Sequence, residues 1–81
     1  MLKIGKVYKR MYGEIFMFDR NQESVTLSTF DSVTVVDAER RTCPVGSFAA
    51  YKFLKNNEIY ICHIGWTETN DLIENYWEEI C

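Results

Sequence analysis

The stretch "GKVYKRMYGEIFMFD", residues 5–19, packs cations and flat rings around a single internal glycine. Those two side-chain types are what a single strand of nucleic acid needs. A stacked base contributes about 1–3 kcal/mol, and cations track the phosphates. Tyr8, Tyr12 and Phe16 are the stacking candidates, and Lys6, Lys9 and Arg10 the phosphate candidates. Lys52, in a later apolar segment, joins the cations. The competing role is structural: charges on an outward strand face discourage edge pairing. Phe16 and Phe18 also have a competing role as core residues beneath a helix.

Other chemistry is sparsely supplied. The one histidine, His63, follows Cys62 inside an apolar run. Neighbouring residues of a strand point to opposite faces, so the two cannot form a nucleophile–base pair. There is no glycine-rich phosphate loop and no acid pair suited to a cleft. A non-enzymatic protein without a cofactor is expected. Cys43, Cys62 and Cys81 are far apart and form no CxxC pair, so no metal is expected. Their odd number suits a reducing compartment better than a disulfide framework.

The elements that must position these residues come from an 81-residue chain that is 47% hydrophobic and 15% aromatic. That is one domain with a single core. No apolar run reaches the roughly 18 residues of a membrane helix, and "MLKIGKVYKR" has no signal-length apolar stretch. A cytoplasmic chain without membrane contact is expected. The net charge is −3, but it is unevenly spread. All nine Lys and Arg lie in residues 1–55 beside six acids, a balance of +3. Residues 56–81 hold the other six acids and no Lys or Arg, a balance of −6.

The first two thirds alternate as strands do. "KIGKVYK" puts Ile4, Lys6 and Tyr8 on one side and Gly5, Val7 and Lys9 on the other. "YGEIFMFD" sets Ile15 and Met17 against Glu14, Phe16 and Phe18. "SVTLSTF" turns Val25 and Leu27 inward, and "SVTVVD" is β-branched. "DAERRTCPVG" reads as the longest connection. "SFAAYKFLK" and "EIYICHI" form two more strands joined by "NN", a turn pair that tolerates positive φ. In "TETNDLIENYWEEIC", Leu72, Ile73, Tyr76, Trp77 and Ile80 recur at helical spacing, with Thr69 or Asn70 as cap. The fold predicted is mainly β. It is a small antiparallel barrel of five to six strands over residues 1–66, OB-like or alternatively SH3-like. One acidic amphipathic helix over residues 67–81 packs on it through Leu72, Tyr76 and Trp77.

The order and spacing of these segments resemble the cold-shock domain and its S1-type OB-fold relatives over residues 4–64. Gly5-Lys6-Val7 matches the family's first strand, and Arg10 to Ile15 sits where its second belongs. Val25 to Val33 approximates its third, and Gly46, Ala49, Tyr51 and Phe53 match its fourth. The resemblance implies an OB-like barrel that binds single-stranded RNA or DNA. Tyr12 keeps a stacking position. Glu14, Thr26, Ser28 and Lys9 stand where the family carries aromatic or imidazole rings, with Phe30 as a displaced aromatic.

The function predicted is therefore a small OB-like module that binds single-stranded nucleic acid through Lys6, Tyr8, Lys9, Arg10, Tyr12, Phe16 and Lys52. The alternative is a protein-interaction module, a small regulator or inhibitor like those phages encode. It would dock its acidic helix, through Glu74, Trp77 and Glu78, into a basic groove of a larger protein.

Overall fold

The computed structural model describes residues 1–81. Seven strands form one antiparallel sheet curled into a half-barrel. They are β1 (Val7–Arg10), β2 (Ile15–Phe18), β3 (Ser24–Leu27), β4 (Ser32–Cys43), β5 (Gly46–Lys55), β6 (Glu58–Gly65) and β7 (Trp77–Glu79). Their order across the sheet is β3-β2-β6-β5-β4-β1-β7. β1 and β2, both within the opening stretch, are not neighbours.

The mainly β prediction holds, but the sheet has seven strands in a half-barrel rather than five to six in a barrel, and two segments are corrected. The first is "DAERRTCPVG", which is not a loop. It completes β4, turns at Pro44 and Val45, and returns as β5 from Cys43↔Gly46 onward. Gly46 takes φ +141°, a value side chains resist, and closes that turn. A bulge at Val36 separates the pairs Val35↔Phe53 and Asp37↔Lys52. The inserted residue shifts the phase of β4, so Val33 and Val35 point into the core while Asp37 stays outside. The β5–β6 turn forms as its sequence predicts: Asn56 and Asn57 both adopt positive φ between Lys55 and Glu58.

The second correction concerns the C-terminal helix. Helical backbone is confined to a π-helical turn, Thr67–Asp71, and one short helix, α1 (Ile73–Tyr76). Trp77 is already extended, at φ −135° and ψ 143°, and opens β7. The competing interaction is the free edge of β1. Tyr8↔Glu79, Lys9↔Glu78 and Arg10↔Trp77 complete that edge as a ladder. Pairing this edge and burying Trp77 together outweigh a helical preference that is weak over so few residues. Thr69 does not cap through its side chain. It is fully buried, and its hydroxyl bonds to the Tyr51 hydroxyl.

The inner face of the sheet makes the core. Met17, Leu27, Val33, Val35, Ala49, Tyr51, Phe53, Cys62 and Ile64 fill it, closed at one end by Leu2, Tyr8 and Trp77. Tyr51 and Phe53 stack at 5.2 Å, and Phe53 meets Trp77 at 5.9 Å. Arg10 is buried with them. Its guanidinium pairs with the Glu68 carboxylate and lies 5.1 Å from the Tyr76 ring centre and 4.9 Å from that of Trp77. Its Nε donates to the Gly13 carbonyl at 2.9 Å. A buried guanidinium stripped of its carboxylate is far costlier than an apolar pair of similar shape. Accordingly, Arg10→Ala and Glu68→Ala should each lose about 3–5 kcal/mol in urea unfolding, whereas Arg10→Met combined with Glu68→Leu loses less than either.

Candidate functional site

The structure divides the residues of the opening stretch between interior and surface. β1 alternates, and the phase that faces the core is that of Tyr8 and Arg10, at 4% and 2% exposure. The Tyr8 hydroxyl accepts from the Lys3 amide at 2.9 Å and donates to the Glu79 carboxylate at 3.3 Å. Burial pushes its pKa up; the Lys3 bond opposes this and Glu79 adds to it. Neither Tyr8 nor Arg10 presents a ring or charge to a strand of nucleic acid, which corrects their assignment as contact residues. Trp77, the anchor of the alternative surface, is buried as well at 4%, which corrects that assignment. Glu74 and Glu78 are exposed, but Glu74 lies on α1 and Glu78 on β7, so they share no helix face.

The acidic C-terminal segment is turned onto the basic strand. Glu68 pairs with Arg10, Glu78 lies across the ladder from Lys9, and Glu79 accepts from Tyr8. Lys6 is exposed and Lys9 half-buried. Tyr12 is exposed, its ring edge-on to Tyr76 at 5.8 Å. One ion pair, Arg10 with Glu68, thus joins the two charge blocks of the sequence, and Glu78 and Glu79 lie along β1.

Phe16 and Lys52 end on a different surface, the outer face of the sheet. The register Ser24↔Phe18↔Ile61↔Lys52↔Asp37 runs as one row across β3, β2, β6, β5 and β4. Continuing the antiparallel pairing by two residues gives a second row: Thr26, Phe16, His63, Ala50 and Glu39. Phe16 is 63% exposed, and Phe18, Ile59 and Ile61 are close to half exposed. Leu54, opposite Ile59, completes an apolar strip along three adjacent strands. Phe16 and Phe18 are therefore not covered by a helix. The Phe48 ring lies 5.1 Å from His63 on the same face.

Phe18, Leu54, Ile59 and Ile61 are the surface residues that reading for cations and rings overlooks. A signal for them is present in "IFMF" and "EIYICHI", which are apolar at both phases of the alternation. An antiparallel sheet with one wet face alternates apolar with polar, whereas a strand covered on both faces reads as a continuous apolar run. Cys62 and His63 do point apart, as strand geometry requires: Cys62 is fully buried and His63 exposed. Desolvation pushes the Cys62 thiol up to about 12, with the nearby Arg10 charge opposing and Glu68 adding to the rise.

Comparison with protein-family models, with curated proteins and with solved structures gives no match. No helix is long and apolar enough to cross a membrane.

The buried thiol predicts an alkaline instability. The unfolded chain loses the proton near 9, while the folded chain holds it to about 12. Stability is thus fully present below pH 9 and falls as pH rises through that window. Between pH 8 and 10 this thiol alone should account for a loss of about 1.4 kcal/mol in urea unfolding. Cys62→Ala, less stable throughout, should lack that part of the pH slope.

Proposed function

We propose that this chain is a non-catalytic protein-docking module whose working surface is the outer face of β2, β6 and β5. One observation carries the reading: these strands put large apolar side chains on the face away from the core as well as on the core face. Contiguous exposed apolar patches on a small domain mark interaction sites, whereas scattered exposed side chains do not. Phe16, Phe18, Leu54, Ile59 and Ile61 together expose on the order of 400 Å² of apolar surface. Covering that area is worth about 10 kcal/mol, comparable to the cost of bringing two molecules together. Productive docking therefore also engages the polar rim, where Asp37, Glu39, Arg41 and Lys52 stand.

Binding of single-stranded nucleic acid is the second reading, and one observation favours it. Phe16, Phe18 and His63 offer flat rings on the same face as Lys52 and Arg41. The likeness to the cold-shock and S1-type family belongs with this reading. The charge balance weighs against it: Asp37 lies opposite Lys52, and Glu39 pairs with Arg41 at 3.3 Å. A face whose cations are already matched by carboxylates has little left for phosphates.

Two measurements separate the readings. Affinity capture from extract with the native chain should retain a partner that Phe16→Ser/Ile61→Ser, folded by circular dichroism, loses by about tenfold or more. Anisotropy of a labelled pyrimidine-rich strand should show no salt-sensitive binding that depends on Phe16 and Lys52. Equal capture by native and substituted chains, or steep salt-dependent binding to the strand, would contradict the docking reading.

A further inference from the structure

We infer that a second copy of this chain pairs with the open edge of β4 beyond its bulge. Residues 37–43 of the two copies run antiparallel, edge to edge, about a two-fold axis at Arg40. The surface is a rim of the sheet and not its outer face, so the inference stands apart from the docking reading. Its warrant is that the extent of the open edge and the order of its charges select the same register.

The segment before β1 and its start cover the free side of β4 only as far as Val35. The Val35 amide donates to the Lys6 carbonyl at 2.9 Å, and its carbonyl accepts from the Gly5 amide at 2.8 Å. Past the bulge, β4 pairs with β5 alone, and no backbone hydrogen bond reaches residues 37–43 from any other segment. The Ala38 amide instead donates to the Asp37 carboxylate at 3.0 Å, on the side away from β5. Backbone groups alternate sides along a strand, so Arg40 and Thr42 also turn their N–H and C=O groups to the open side. Such a row takes up an added strand through main-chain hydrogen bonds.

Arg40 is the midpoint of residues 37–43, so an antiparallel pair centred there uses the whole open edge of both copies. It sets Arg40 opposite Arg40 and Ala38 opposite Thr42 as hydrogen-bonded pairs. Glu39 then faces Arg41 twice, at the closer, non-hydrogen-bonded positions where side chains interact best. Such reciprocity, in which residue i meets j and j meets i, is what an isologous interface requires. The two Arg40 charges do not meet. Each guanidinium lies 4.3 Å from the Trp66 ring centre of its own chain and donates to Ser47 Oγ at 3.3 Å, so it leans across β5 and away from the open edge. Moving the axis by one residue would set Glu39 on Glu39 or Arg41 on Arg41, and like charges directly opposite oppose pairing. The bulge and the charges thus guard this edge against indiscriminate strands while leaving one register open to its own copy. Glu39 and Arg41 are exposed and already pair within one chain, so they choose the register and the backbone supplies the affinity. A seam this short is small beside a stable interface, so the dimer is a weak one that forms at high micromolar concentration.

Sedimentation equilibrium of the native chain, from low micromolar to millimolar concentration, is the test. The mass should rise from 9.6 kDa toward twice that value, and the Arg40 and Thr42 amides should gain protection from exchange over the same range. Glu39→Arg sets cation against cation, and Arg41→Glu sets carboxylate against carboxylate. Each alone, with its fold verified by circular dichroism, should weaken the dimer by about tenfold or more. An equimolar mixture of the two should associate again, because one copy then offers two cations to the two carboxylates of the other. Glu39→Arg with Arg41→Glu in one chain should dimerise like the native chain, since the order is reversed and each charge still faces its opposite. A native chain that stays monomeric at millimolar concentration, or a dimer whose Arg40 and Thr42 amides stay unprotected, would overturn the inference. So would single variants that dimerise like the native chain, or a mixture or doubly substituted chain that stays monomeric. Phe16→Ser/Ile61→Ser should leave this dimer intact, which keeps the test separate from that of the docking reading; its loss there would overturn the edge as the seam.

Discussion

The buried ion pair between Arg10 and Glu68 is the constraint around which this molecule is arranged. A guanidinium at 3% side-chain exposure must find a carboxylate, and the one it finds comes from the acidic C-terminal segment. Meeting that requirement brings Tyr76 and Trp77 against the guanidinium plane and sets Trp77 opposite Arg10, where β7 begins. Arg10 also holds the Gly13 carbonyl, so the same side chain fixes the turn between β1 and β2. Breaking the pair would loosen β1, its turn and the C-terminal strand together.

This arrangement decides which surfaces are left to work. Part of the acidic block is used within the molecule: Glu68 pairs with Arg10, Glu79 accepts from Tyr8, and Glu78 lies across the ladder from Lys9. Trp77 is needed by the core, where it meets Phe53. Among the exposed large apolar side chains, Phe16, Phe18, Ile59, Ile61 and Leu54 share the outer face of three adjacent strands. The long β4–β5 hairpin borders that face with Asp37, Glu39, Arg41 and Lys52, and the bulge at Val36 sets the phase that turns Asp37 and Glu39 outward.

Much of the fold is legible in the sequence wherever one physical rule acts alone. Alternation locates the inward sides of β2 and β3, and paired asparagines mark the β5–β6 turn. The last fifteen residues are not legible in this way. The spacing of Ile73, Tyr76 and Trp77 suits a helix, and local preference has no term for a distant unpaired strand edge. Within β1 the alternation is correct, but which phase points inward depends on a carboxylate 58 positions away. Arg10 therefore looks like a surface cation until Glu68 is placed beside it. The outer face was legible by a different rule. The apolar runs of β2 and β6 signal coverage on both sides, a feature masked when Phe16 is read only as a ring among cations.

The most direct measurement is the solvent exchange of the Trp77 indole N–H and the Arg10 Nε–H, followed by nuclear magnetic resonance in the native chain and in Glu68→Ala. Protection of both in the native chain, and release of both by the substitution, is what this account predicts. A Trp77 indole or an Arg10 Nε–H that exchanges as a solvent-exposed group in the native chain would contradict it.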